Sequence, residues 1–127
     1  MFDLYKPPIV DNGAPVSVVM MIHEPISQAE RVSHLCVCVE SIHRDILEPI
    51  AVEHGLTMVD NWGTYQTVDA ATLDEFLAQM KVLIHRIAHL EDTTDQSKEY
   101  LTNRMQGLVD ETTRWIRSRP DLVVWIG

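Results

Sequence analysis

The sequence predicts a small α/β domain: three short strands in a parallel or mixed sheet packed by three helices, in the order βαβααβ. Three observations lead there. The apolar runs at 16–22, 56–59 and 122–126 are continuous rather than alternating, the pattern of strands covered on both faces. Between them lie stretches whose apolar residues recur at helical spacing. Capping residues and prolines punctuate those stretches where helices begin and stop. The chain has 127 residues, 46% of them hydrophobic and 23% charged, so it is long enough to bury one core as a single domain, residues 1–127.

Residues 1–15 read as an irregular arm, because Pro7, Pro8, Asn12, Gly13 and Pro15 all break regular structure. VSVVMMI (16–22) follows as a valine-rich strand bounded by Pro15 and Pro25. Ser27 and Glu30 form a capping box that opens a helix. Val32, Leu35, Val39, Ile42 and Ile46 continue it as one apolar stripe. Pro49 lacks an N–H to donate, so this helix either ends near Leu47 or kinks and runs on to Gly55, a favourable residue after a helix.

LTMV (56–59) is the second expected strand, and 60–69 a turn or an exposed strand. Asp69, or alternatively Thr72 with Glu75, caps a second helix whose inner face is Leu73, Phe76, Leu77, Met80, Ile84 and Ile87, running to about Leu90. After a polar connector at 91–96, Thr94 or Asp95 caps the third helix, lined inwardly by Leu101, Met105, Leu108, Thr112, Trp115 and Ile116. Asp110 stands four residues before Arg114, the favourable order for a helix-surface ion pair. Pro120 stops the helix, and LVVWI (122–126) is the last strand.

A formal net charge of −9 argues against nucleic acid and anionic lipid as partners, since both attract clusters of lysine and arginine. Arg114, Arg117 and Arg119 do cluster, but at a helix end, where cations complement the helix dipole. No apolar stretch approaches the roughly 20 residues of a membrane span, and the N-terminal residues lack the basic start and apolar run of a signal peptide. Cys36 and Cys38 are too close in sequence for an ordinary structural disulfide. The expectation is a soluble, cytoplasmic protein.

Two constellations could carry chemistry. His85, His89 and Asp92 stack along one helical face at a spacing that could hold a divalent metal, opposite the apolar stripe of the same helix. Without the glutamate of H-E-x-x-H, a solvated polar face is the simpler reading. His34, Cys36 and Cys38 would share a face on a strand but scatter on a helix, and the capping box favours the helix. Cys36 then acts as a small hydrophobe, and His43, near the same stripe, reads as a core histidine. There is no nucleophile elbow and no glycine-rich phosphate cradle. Neighbouring acids such as Asp74 and Glu75 point about 100° apart on a helix and do not converge. No catalytic residue, metal or cofactor is therefore expected.

What remains is surface. Asp60, Trp62, Tyr65 and Asp69 set two large aromatics among acids, with Asp74 and Glu75 extending the negative field, which is the composition of a protein-binding patch. The alternative is that Trp62 and Tyr65 fold inward over a sheet edge. The expected function is a small acidic inhibitor that neutralises a basic protein partner, such as a toxin or nuclease. Immunity proteins and antitoxins are of this class, and the analogy rests on size, acidity and absence of chemistry alone. The alternatives are a metal-dependent enzyme using His85, His89 and Asp92, and a dimeric secretion chaperone or scaffold with the Leu101–Ile116 face as its contact. The chain is expected to be a monomer or a homodimer.

Overall fold

The structure, a computed structural model, describes residues 17–127, so the expected irregular arm at 1–15 lies outside the described residues. Along the chain run β1 (Ser17–His23), α1 (Gln28–Val32), β2 (His34–Val39), α2 (Glu40–Ile42), a π-helical turn (His43–Leu47), α3 (Glu48–His54), β3 (Gln66–Val68), α4 (Leu73–Ala88), α5 (Asp95–Ser118) and β4 (Val123–Ile126). The four strands form one sheet in the order β2-β1-β4-β3, with every neighbouring pair antiparallel.

This corrects the expected three-stranded parallel or mixed sheet. The connection between β1 and β2, residues 24–33, is shorter than the roughly a dozen residues that a parallel crossover needs. Continuous apolar runs also do not mean two covered faces here. Val18, Met20 and Ile22 of β1 are buried, whereas Met21 and His23 are exposed. Helix α4 packs against both α3 and α5, and α5 lies on β2 and β4. The core sits between them and the sheet, with Phe76, Met80, Leu83, Ile87, Leu101, Met105 and Leu108 fully buried.

The largest departure from expectation is at 34–39. Ser27 does cap a helix, accepting from the Glu30 N–H at 3.1 Å, but that helix stops at Val32. HLCVCV then pairs with β1 as an edge strand. Its β-branched and cysteine residues suit a pleated strand, and pairing with β1 overrides the helical spacing of Val32, Leu35 and Val39. Val18 faces Cys38 and Val19 faces Cys36, so Val37 is the extra residue of a β-bulge.

From Glu40 to His54 the chain is one continuous helix, with a π turn just before Pro49. The Glu48 N–H bonds to the His43 carbonyl, a wider closure than an α turn, ahead of the proline that has no N–H of its own. The helix ends where Gly55 adopts φ 67°, left-handed backbone that glycine enters without a Cβ clash. Of the two expected endings, the one that runs on to Gly55 is observed.

The expected strand at 56–59 is instead a series of tight turns closed by bonds such as Val59 N–H to Leu56 O and Trp62 N–H to Val59 O. Three side chains from this segment and its neighbours hold it. The His43 Nε2 donates to the Val59 carbonyl at 2.8 Å, the Trp62 Nε1 donates to the Met58 carbonyl at 2.8 Å, and the Gln79 Oε1 accepts from the Met58 N–H at 2.8 Å. Backbone groups that a strand would satisfy on its neighbours are satisfied here by side chains. β3 forms later, at Gln66–Val68.

The two long helices follow their sequence signals. Thr72 stands at the N-terminal boundary of α4 but its side chain caps no helix N–H; it and Asp69 bond each other instead, the Thr72 N–H to the Asp69 Oδ1 and the Asp69 N–H to the Thr72 Oγ1, each at 3.0 Å. Thr94 caps α5 by accepting from the Ser97 N–H at 3.0 Å. Arg114 pairs with Glu111 at 2.8 Å, not with Asp110, which accepts from Gln106 instead. Among the described residues, no helix is long and apolar enough to cross a membrane.

Candidate protein-binding surfaces

The residues expected to form one binding patch are divided by the fold. Trp62 is 1% exposed, stacked on His43 at 5.6 Å between ring centroids, and belongs to the core. It cannot anchor a partner while the fold is intact, which corrects the reading of Trp62 as an exposed aromatic. Tyr65 is 50% exposed and lies on the open side of the sheet. Asp60 and Asp69 are half-buried, and Asp69 is engaged with Thr72. Asp74 and Glu75 are exposed in the first turn of α4, where Glu75 accepts from Gln79 at 2.8 Å.

On that open side three rings lie in a row. Trp125 stacks on Tyr65 at 4.9 Å and on His23 at 5.1 Å, the planes of the latter pair nearly parallel at 3°. Strand register builds the row: Met21 and Thr67 both face Trp125, and His23 faces Val123. Side chains that share a pleat position share a face, so Val19, Met21, His23, Thr67, Val123 and Trp125 stand together. The sequence signal for this row was the alternation within β1 and β4, hidden because both faces are apolar.

A second surface lies on the helical side. Ile46, Pro49, Ile50 and Leu90 line a cleft of about 380 Å³ whose other walls include Asp45, Glu53 and Asp92. A neighbouring cleft shares Pro49 and Glu53 and adds Arg44, Glu48 and Val52, the last 66% exposed. The helix with its π turn ahead of Pro49 supplies most of both. Four carboxylates, Asp45, Glu48, Glu53 and Asp92, thus border apolar ground with one guanidinium, Arg44. Arg44 donates to Asp45 at 2.9 Å and holds its carboxyl below the usual aspartate range. None of this groove except Asp92 was singled out in the sequence, because residues 45–53 and 90–92 meet only through tertiary packing.

The metal and redox candidates come apart. His85 and His89 are adjacent, with ring centroids 4.3 Å apart, and the His89 Nδ1 bonds to the His85 carbonyl at 2.8 Å. Among the described residues, no group of three or more His, Cys, Asp or Glu side chains is placed to hold a metal ion, so Asp92 does not complete a site with them. Although 34–39 is a strand, the bulge at Val37 separates the two thiols: Cys36 is exposed and Cys38 buried. Burial pushes the Cys38 thiol up to about 12, with the neighbouring Cys36 adding to the effect. His43 is a core histidine, as expected.

The arginine cluster near the end of α5 is spoken for in part. Arg119 donates to both Glu30 oxygens, at 2.7 and 3.0 Å, and to Asp121 at 2.9 Å. The Arg119 hydrogen bonds hold the Glu30 carboxyl below the ordinary glutamate range, against the opposing effect of burial. Arg114 lies over the Trp115 ring at 4.5 Å while paired with Glu111. A cleft beside Arg119, lined also by His23, Glu24, Ile26 and Asp121, therefore offers an anion a guanidinium already held by two carboxylates.

No protein-family model, no curated protein and no solved structure matches this chain.

Proposed function

We propose that this protein binds and neutralises a basic protein, seating a positively charged, partly apolar segment of it in the groove between α3 and the end of α4. The observation that carries the reading is the groove's chemistry: an apolar floor of Ile46, Pro49, Ile50 and Leu90 beside Asp45, Glu53 and Asp92. Such a site suits lysine or arginine side chains, whose methylene stems cover apolar ground while their charged ends meet carboxylates.

The wider charge serves the encounter. At −9 the chain attracts a cationic partner, and Asp60, Asp69, Asp74 and Glu75 add to the field that raises the rate of collision. Inhibitors of cationic nucleases, the immunity proteins and antitoxins, use such steering, and a role of this kind fits a small acidic domain. The apolar floor then slows dissociation, because interface core contacts act chiefly on the off-rate.

The experiment is capture from native extract on immobilised wild-type protein and on a Glu53→Lys/Asp92→Lys double variant, each at low and high salt. The expected result is a basic protein retained by the wild type at low salt, weakened at high salt and absent from the variant. Retention indifferent to both the salt and the two substitutions overturns the reading.

A further inference from the structure

We infer that two copies of this chain associate through the open face of the sheet, with Trp125 and Met21 at the centre of the contact. In the order β2-β1-β4-β3 the central strands are β1 and β4, and Met21 faces Trp125 across them. Tyr65 and His23 flank Trp125 in the ring row, and Met21 is 40% exposed. The face is thus apolar at its middle and half-open to water.

Charge selects the occupant. Strand register assigns Ser17, Val19, Met21, His23, His34, Cys36, Val39, Thr67, Val123 and Trp125 to this face, Tyr65 joins them by stacking on Trp125, and none of them is an aspartate, glutamate, lysine or arginine. In a chain of net charge −9, two like-charged molecules can meet at the middle of this face, around Met21, Thr67 and Trp125, without bringing carboxylates together, Glu24 and Asp121 standing beside Arg119 at its His23 end. A basic partner finds no countercharge at this centre, whereas the groove on the helical side offers it Asp45, Glu53 and Asp92. A two-fold contact needs a self-complementary surface, and a sheet face with a central aromatic provides one by face-to-face packing.

The other routes to a dimer are less open. The Leu101–Ile116 face of α5, expected as a possible contact, is spent on the core: Leu101, Met105, Leu108, Thr112 and Ile116 are all buried. At the β2 edge, the Arg104 Nε donates to the Val37 carbonyl at 3.4 Å, so α5 covers part of the strand's free side.

Sedimentation equilibrium of the full chain, from micromolar to near-millimolar concentration, tests this. The expected result is the mass of two chains for the wild type, and association weakened about tenfold or more in Tyr65→Glu and in Thr67→Glu, each of which sets like charges across the contact. Glu53→Lys, on the groove, leaves the mass unchanged. Circular dichroism confirms that each variant is folded. A single-chain mass at every concentration overturns the inference, including the case in which residues 1–16 of the same chain cover the face. So does a dimer that both sheet-face variants leave intact.

Discussion

Arg119 and Glu30 lie 89 positions apart in sequence and meet in a two-pronged ion pair, Nη2 to Oε1 at 2.7 Å and Nε to Oε2 at 3.0 Å. The same glutamate oxygen Oε1 accepts from the Ile26 N–H at 3.2 Å, while the Glu30 N–H bonds to Ser27. One carboxylate therefore ties the start of α1 to the segment between α5 and β4. A capping residue was legible in the sequence; its second role as the partner of Arg119 was not.

This pair predicts an acid-sensitive fold. The folded-state pKa of Glu30 is lowered by its hydrogen bonds to Arg119, so the unfolded chain takes up the proton first as pH falls. The stabilisation is present in full above the ordinary glutamate pKa of about 4.3 and is lost as pH drops through the lower folded value. Asp121, lowered by the same arginine, adds to this limb. Glu30→Gln is expected to lower Tm at neutral pH and to flatten its decline below about pH 4.3. Thermal unfolding by circular dichroism against pH checks this; an acid limb unchanged by the substitution counts against the pair as its source.

Gln79 predicts a cost out of proportion to its size. It is buried in α4, accepts from the Met58 N–H and donates to Glu75. Gln79→Leu keeps the volume but leaves the Met58 N–H without its acceptor, which costs about 1–3 kcal/mol. Urea unfolding of the variant should show the loss, whereas Ala78→Leu, one position away on the exposed side, should not.

The two thiols are expected to differ in reactivity. Cys36 is exposed, while Cys38 is buried and its thiol pushed up to about 12. A thiol reagent at mildly alkaline pH should modify one cysteine per native chain, Cys36, and reach Cys38 only on unfolding. Peptide mapping after labelling decides it; equal labelling of both in the native state would mean that the bulge at Val37 does not hold Cys38 inside.

Local signals carried through wherever the interaction was local. The caps at Ser27 and Thr94, the period of α4 and α5, the stop at Pro120 and the strands at both ends all depend on residues within a few positions of each other. The core assignment of His43 carried through because its neighbours in sequence already placed it on an apolar stripe.

Tertiary structure decided the rest, because it depends on partners far away in the chain. β2 exists because β1 offers it an edge, and that pairing outweighs the helical spacing of Val32, Leu35 and Val39. The segment at 56–64 turns because His43 and Gln79 supply hydrogen bonds that no local pattern announces. Trp62 and Tyr65, three positions apart, went to opposite environments for the same reason: one fills the space beside His43, and the other stacks on Trp125 from the far end of the chain. Composition by itself established the acidity. Which surfaces that acidity borders was settled only when helix packing brought Leu90 and Asp92 against Ile46 and Glu53.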